Sequence, residues 1–148
     1  MEEITMPEKW DKRFLGLAEH VSAWSKDPST KVGAVITDCN NRIISIGYNG
    51  FPKGVDDSTE RLENREIKYK IVIHGERNAL LFARRDLKDC KIYTWPFMPC
   101  SPCASMIIQS GISEVISTFS DNPRWIEDFK LSETLFKEAG VKLRLLKI

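Results

Sequence analysis

Apolar positions change period several times along the chain, and each change marks a predicted element. Trp10, Phe14, Leu17, Val21 and Trp24 recur at helical spacing, which predicts an amphipathic first helix. The stretch "TMPEKW" before it supplies a capping box, with Thr5 as N-cap and Glu8 three residues on, and "SKDPS" ends it. "KVGAVIT" and "NRIISIG" are short β-rich runs joined by "DCNN", which predicts a hairpin. "GYNGFPKGVDDS" carries turn chemistry, and a mixed charged segment of undefined structure follows it. From His74 onward helical and strand patterns alternate: "HGERNALLFARRD", "KIYTW", "SPCASMIIQSG", "EVIST", "PRWIEDFKLSETLFKEAG" and "VKLRLLKI". Such alternation implies crossover units and a mainly parallel sheet covered on both faces. "MIIQSGISEVI" itself reads as helix, C-cap glycine and buried strand, and carries fold rather than chemistry. No repeat, linker or low-complexity stretch interrupts the pattern, so residues 1–148 are expected to form one three-layer α/β domain.

Charge and composition narrow the function. Lysine and arginine total 22 against 21 acidic residues, a net charge of +1, so no general basic field argues for a nucleic-acid partner. The charged opening "MEEITMPEKWDKRF" has no apolar targeting core, and no later apolar run approaches the roughly 20 residues of a membrane span. These features predict a soluble, cytoplasmic protein with no membrane partner. In a reducing compartment, closely spaced cysteines more often bind metal or do chemistry than form disulfides. Of the four cysteines only Cys100 and Cys103 are closely spaced.

Those two cysteines open a predicted helix, three positions apart, so both sulfurs can reach one ion. His74 opens another predicted helix after a strand-like segment, "VIHGERNALLF". In an open parallel sheet such helix N-termini converge at the carboxyl ends of the strands, where ligands bind. Helix dipoles there favour thiolate, and one nitrogen with two sulfurs selects zinc. Three protein ligands leave a position for water, the mark of a catalytic rather than a structural zinc site. Cys39 and Cys90 lie alone in or near predicted turns and read as plain thiols, and His20 as a helix-face histidine. Glu76 follows His74 by two residues. By itself it is a first-turn carboxylate favoured by the helix dipole; beside a zinc site it is a candidate proton shuttle.

"HGE" followed by "PCSPC" matches the H-x-E and P-C-x-x-C signature of the zinc-dependent nucleobase deaminases. Together with "SKDPSTKVGAVI", "IGYNGFPKG", "HGERNAL" and "PCSPCASMIIQSGISEVI", it makes most of the chain resemble the deoxycytidylate (dCMP) deaminase family, in the family's order. Gly75 departs from the family, which usually has alanine there; the position contributes mainly its backbone, so glycine costs little beyond local rigidity. The resemblance implies the cytidine-deaminase fold, a five-stranded mixed sheet between helices. It also implies hydrolysis of dCMP to dUMP and ammonia, supplying dTTP synthesis. Zinc would acidify a water for attack at C4, with Glu76 carrying protons to N3 and to the leaving amine. Alternatives sharing the core chemistry are deaminases of cytidine, dCTP, guanine or a tRNA base. A zinc-stabilised binding module without turnover is a further one, against which the intact Glu76 argues.

Substrate contacts are less legible. Asn49 in "GYNG" suits a sugar hydroxyl or phosphate, and equally a turn; the resemblance assigns it to the deoxyribose phosphate. Ser25 and Lys26 could neutralise a 5′-phosphate or be a solvated helix end. Arg124 and Trp125 follow a strand end and could close over the nucleotide, or be an exposed arginine beside a packed tryptophan. Trp95 or Phe97 could stack on the pyrimidine, although strand-end aromatics more often serve a core. The resemblance further implies a homo-oligomer, commonly a hexamer, activated by dCTP and inhibited by dTTP, with Mg2+ accompanying a triphosphate effector. The effector site would lie near "GYNGFPKG", where Gly47, Gly50 and Gly54 permit close approach and Lys53 supplies charge. Composition alone makes this a flexible surface loop.

Overall fold

The structure is a computed structural model that describes the backbone of residues 4–5 and the whole of residues 8–147. Strands are β1 (Ile4–Thr5), β2 (Gly33–Thr37), β3 (Ile43–Tyr48), β4 (Lys91–Trp95), β5 (Glu114–Thr118) and β6 (Lys142–Leu146). Helices are α1 (Lys9–Ser22), α2 (Thr59–Glu63), α3 (Arg65–Ile71), α4 (Gly75–Ala83), α5 (Ser101–Gln109) and α6 (Ile126–Ala139). The sheet runs β1-β6-β5-β4-β2-β3. Five full strands make the expected mixed sheet, and the two-residue β1 extends one edge. β4, β5, β6 and β1 are parallel, whereas β2 pairs antiparallel with both β4 and β3. The predicted hairpin is β2–β3, and the parallel pairs come from the crossovers through α5 and α6.

Strand alternation divides the core in two. Ala34, Ile36, Ile92, Val115 and Leu143 pack with Ala79 of α4, Ala104 and Ile107 of α5, and Phe129 and Phe136 of α6. Val35, Tyr93, Ile116 and Leu146, one residue out of step, pack with Phe14, Leu15 and Ala18 of α1. The layers are therefore α1, sheet, and α4–α6. Arg144 lies within the α1 layer and is held by Asp11, at 2.9 and 2.8 Å, and by Glu114. That pairing satisfies the charge of the buried Asp11.

Two helix readings need correction. The cap of α1 is Glu8, which forms a capping box with Asp11; Thr5 instead belongs to β1. The stripe also drifts: Phe14 and Val21 are buried, but Trp10 and Trp24 are 39% and 51% exposed, because Leu15 and Ala18 occupy the sheet-facing arc. The charged segment left undefined folds as α2 and α3, capped by the side chains of Ser58 and Asn64.

α1 lies so close to β2 that Gly33 is the only residue type that fits. A Cβ there would sit 1.9 Å from the Ala18 carbonyl oxygen and 2.8 Å from the Ser22 nitrogen. Gly33→Ala is therefore expected to lower unfolding stability by about 1–3 kcal/mol or more, as overpacking does. Denaturant unfolding of the two proteins measures it; an unchanged midpoint would show that α1 shifts freely. No helix among the described residues is long and apolar enough to cross a membrane.

Candidate active site

Two helix starts face each other at one end of the sheet. His74 is the N-cap of α4 and Cys100 the N-cap of α5, both with extended backbone and neither making a side-chain cap bond. Their side chains are thereby free for a ligand. Cys103 lies one turn into α5, on the same side as Cys100. His74 Nδ1 is 3.4 Å from Cys100 Sγ and 3.3 Å from Cys103 Sγ, and all three donor atoms lie within 4.8 Å of one another. A tetrahedral zinc, with Zn–N about 2.0–2.1 Å and Zn–S about 2.3 Å, separates nitrogen from sulfur by about 3.6 Å. The three residues could thus hold zinc with little movement. The strand-like approach to α4 is a single bridge, Gly50 to Ile73, which follows α3 and ties the chain to the end of β3.

The hydrogen bond from Cys103 draws the Cys100 thiol down to about 4, against burial and with help from His74. That same bond, with burial, pushes Cys103 up. Arg77 Nε donates to Cys103 Sγ at 3.3 Å, which offsets negative charge on the sulfur pair. The sequence reading overlooked Arg77, whose position one residue after Glu76 was the available signal.

Glu76 is 3% exposed. Burial, with Cys100 nearby, pushes its carboxyl up to about 7. It lines a cleft together with His74 and Cys100. Phe97, Trp125 and Phe129 form an aromatic wall of that cleft, with ring centroids 5.5–6.5 Å apart. Of the two candidate aromatics before the cysteines, Phe97 lines the cleft, whereas Trp95 packs towards the α1 layer.

The remaining candidates are distributed unevenly. Arg124 and Trp125 both line the cleft; the Arg124 guanidinium lies 4.7 Å over the Trp125 ring and donates to Tyr69 Oη at 3.4 Å. Asn49 also borders it, and its amide fastens the neighbouring loop. Its Oδ1 accepts from Val32 N at 2.9 Å, and its Nδ2 donates to Thr30 O and Asp27 Oδ2 at 2.9 and 3.3 Å. Asn49 therefore clasps the 25–32 loop. Ser25 is buried beneath that loop, donating to the Asn49 carbonyl. Lys26 lies outside the cleft, paired with Asp57 at 2.9 Å and with its side chain 70% exposed. Neither side chain lines the cleft that holds His74, Glu76 and Cys100.

A different lysine, Lys68 of α3, is at the cleft. It lines the cleft and is buried, with Nζ donating to Asp27 Oδ1 at 3.2 Å and Ser29 Oγ at 3.3 Å. An ammonium has three donors, so one remains. Gly75 is buried at the start of α4, where a Cβ would sit 2.9 Å from the Val32 carbonyl. Glycine thus sets a close approach of α4 to the chain entering β2, more than the loss of rigidity expected. Gly50 is fixed by its bridge to Ile73, and Lys53 is exposed beyond it. Cys39 is exposed, Cys90 is buried in the core, and His20 packs edge-on against Trp24. None of these three joins the ligand group.

Comparison with known proteins places these features in one group. The family model described as cytidine and deoxycytidylate deaminase zinc-binding region matches residues 8–118, which include His74, Glu76, Cys100 and Cys103. A deaminase from the luxG 3′ region of Aliivibrio fischeri is 51% identical over 141 residues, covering 93% of this chain and 94% of that protein. The deoxycytidylate deaminase of Mus musculus is 41% identical over 142 residues, covering 92% of this chain and 79% of its own. A crystal structure of dCMP deaminase from the cyanophage S-TIM5, in complex with dCMP and dUMP, superposes with a TM-score of 0.73 at 23% identity. The match covers 95% of this chain and all of that one, and it speaks to the shared fold.

Proposed function

The chain belongs to the cytidine and deoxycytidylate deaminase family, and from that premise we propose that it is a single-domain, zinc-dependent hydrolase converting dCMP to dUMP and ammonia. The product is the precursor for dTTP synthesis. The observation that carries this reading is a buried carboxylate, Glu76, beside a His/Cys/Cys donor set in one cleft. Identity of 41% to the mouse deoxycytidylate deaminase supports the choice of substrate.

His74, Cys100 and Cys103 would hold the zinc, which when bound supplies a water acidified toward neutral pH. Glu76 takes a proton from the attacking water and passes one to N3 of the cytosine ring as the oxygen adds to C4. It then carries a proton to the departing amine, so ammonia leaves and the C4 carbonyl forms. A pKa close to the working pH suits both directions of transfer, although a bound cation would draw it lower. The wall of Phe97, Trp125 and Phe129 excludes water and offers a face to the ring. Lys68, through its remaining donor, and Arg124 at the cleft rim suit a 5′-phosphate. Asn49 and Ser25 act through the loop they fasten, and Gly75 through its backbone.

Regulation and assembly belong to the same reading. Exposed Leu81 and Phe82 on α4 support self-association, in keeping with a cytoplasmic homohexamer. dCTP and dTTP, with Mg2+ on the triphosphate, would act at the loop of Gly50 and Lys53.

A panel of cytidine, dCMP, dCTP, guanine and a short single-stranded oligonucleotide, read by ammonia release, tests the proposal. dCMP is expected to give the highest kcat/KM. A larger value for cytidine or guanine would overturn the substrate assignment while leaving the deaminase chemistry intact.

A further inference from the structure

Cys100 occupies a helix N-cap with its sulfur turned to the ligand group, so the usual side-chain cap of α5 is missing. Asp128 of α6 supplies it from outside: Oδ2 accepts from the Ser101 backbone N–H at 2.8 Å and Oδ1 from the Ser101 hydroxyl at 2.7 Å. One turn along α6, the fully buried Ser132 donates to the Pro99 carbonyl at 2.9 Å. The two α6 side chains thus grip the residues on either side of Cys100.

The segment has particular need of such a grip. Pro96, Pro99 and Pro102 lack an N–H, so the connection from β4 to α5 can make few backbone hydrogen bonds of its own. It is held instead by side chains acting mainly on its carbonyls. Thr94 donates to the Phe97 carbonyl at 2.9 Å, Thr118 donates to the Pro96 carbonyl, and Ser132 serves Pro99. From outside α5, Asp128 and Ser132 act on the residues that flank Cys100. They sit four apart on one face of α6, the face that also carries Trp125 and Phe129 to the cleft.

We propose that Asp128 and Ser132 are positioning residues that hold Cys100 and the start of α5 in the geometry the metal requires. They touch neither substrate nor the reacting atoms and act through the Pro99–Ser101 backbone. Outer partners that orient metal ligands typically govern affinity by about 10–100-fold. The inference rests on reading His74, Cys100 and Cys103 as the zinc ligands.

The test measures zinc affinity by chelator competition on the full chain, together with the unfolding midpoint of each metal-free protein. Asp128→Ala is expected to bind zinc about 10–100-fold more weakly than the wild type, with a far smaller change in metal-free stability. Asp128→Asn, which keeps one acceptor oxygen, is expected to recover part of the affinity. Ser132→Ala removes a single hydroxyl and supplies the measurement if Asp128→Ala does not fold. Zinc affinity within about twofold of wild type in folded Asp128→Ala and Ser132→Ala would overturn the positioning role and leave the metal centre standing. So would a loss of affinity matched by equal loss in Thr134→Ala, whose hydroxyl bonds only within α6. A wild-type chain that holds no zinc at this site would overturn the metal centre and the clamp together.

Discussion

Glu76→Gln is expected to retain zinc and nucleotide binding while turnover falls by about 10²-fold or more, the usual worth of a general acid–base group. The amide has nearly the shape of the carboxyl and fits the same buried position, so the ligand group beside it should be undisturbed. What it cannot do is accept a proton and return it. The loss should therefore appear in kcat with KM little changed, since the proton moves only along the reaction path. Steady-state kinetics on dCMP, paired with zinc content, check this. Turnover near the wild-type level would reduce Glu76 to a first-turn carboxylate. Burial argues against that role: a group serving only the helix dipole gains about 0.3–1 kcal/mol at an exposed surface, whereas Glu76 is 3% exposed and its pKa is pushed up to about 7. A carboxyl held at that cost needs a chemical reason.

The parts of the site written in short-range pattern were legible. His74 and Glu76 are two apart, and Cys100 and Cys103 share one helix turn, so residue type and spacing determine what they can do. The structure brings the histidine and both cysteines together as that spacing implied. Five of the six strands and four of the helices were legible too, the helices because each buries one face at a regular period and the strands as short β-rich runs between turns, while the two-residue β1 was read as a helix cap. α2 and α3 were not legible. Ile67 and Tyr69 of α3 are 40% and 59% exposed, and its buried residue is a lysine, so no apolar period existed to be read. Lys68 was invisible as a cleft residue because its partner Asp27 is 41 positions away. The pairing of Asp128 with Ser101 spans 27. Conversely Lys26 looked suitable because it was cationic and near a helix end. Its pairing with Asp57, 31 positions away, was equally beyond short-range pattern.

Cys103→Ser is expected to abolish stable zinc binding, and with it turnover. Wild-type protein should carry about one zinc per chain at the His74, Cys100 and Cys103 group. A serine hydroxyl is a poor ligand beside a thiolate, because it does not ionise near neutral pH and is a harder donor. The change is also severe locally: Cys103 is fully buried and receives the Arg77 hydrogen bond at 3.3 Å, so the smaller side chain leaves that cation without its sulfur partner. Zinc should stabilise the folded wild type by mass action, by about 4 kcal/mol when free zinc is about 1,000 times its dissociation constant. Cys103→Ser should show little of that stabilisation under the same conditions. Zinc content by elemental analysis, and unfolding midpoints with and without added zinc, separate ligand loss from general damage. A variant that merely folds poorly would have a lower midpoint in both conditions, whereas one that has lost a ligand differs from wild type chiefly when zinc is present. Full zinc occupancy with unchanged deaminase activity would remove Cys103 from the metal centre and require a different third donor.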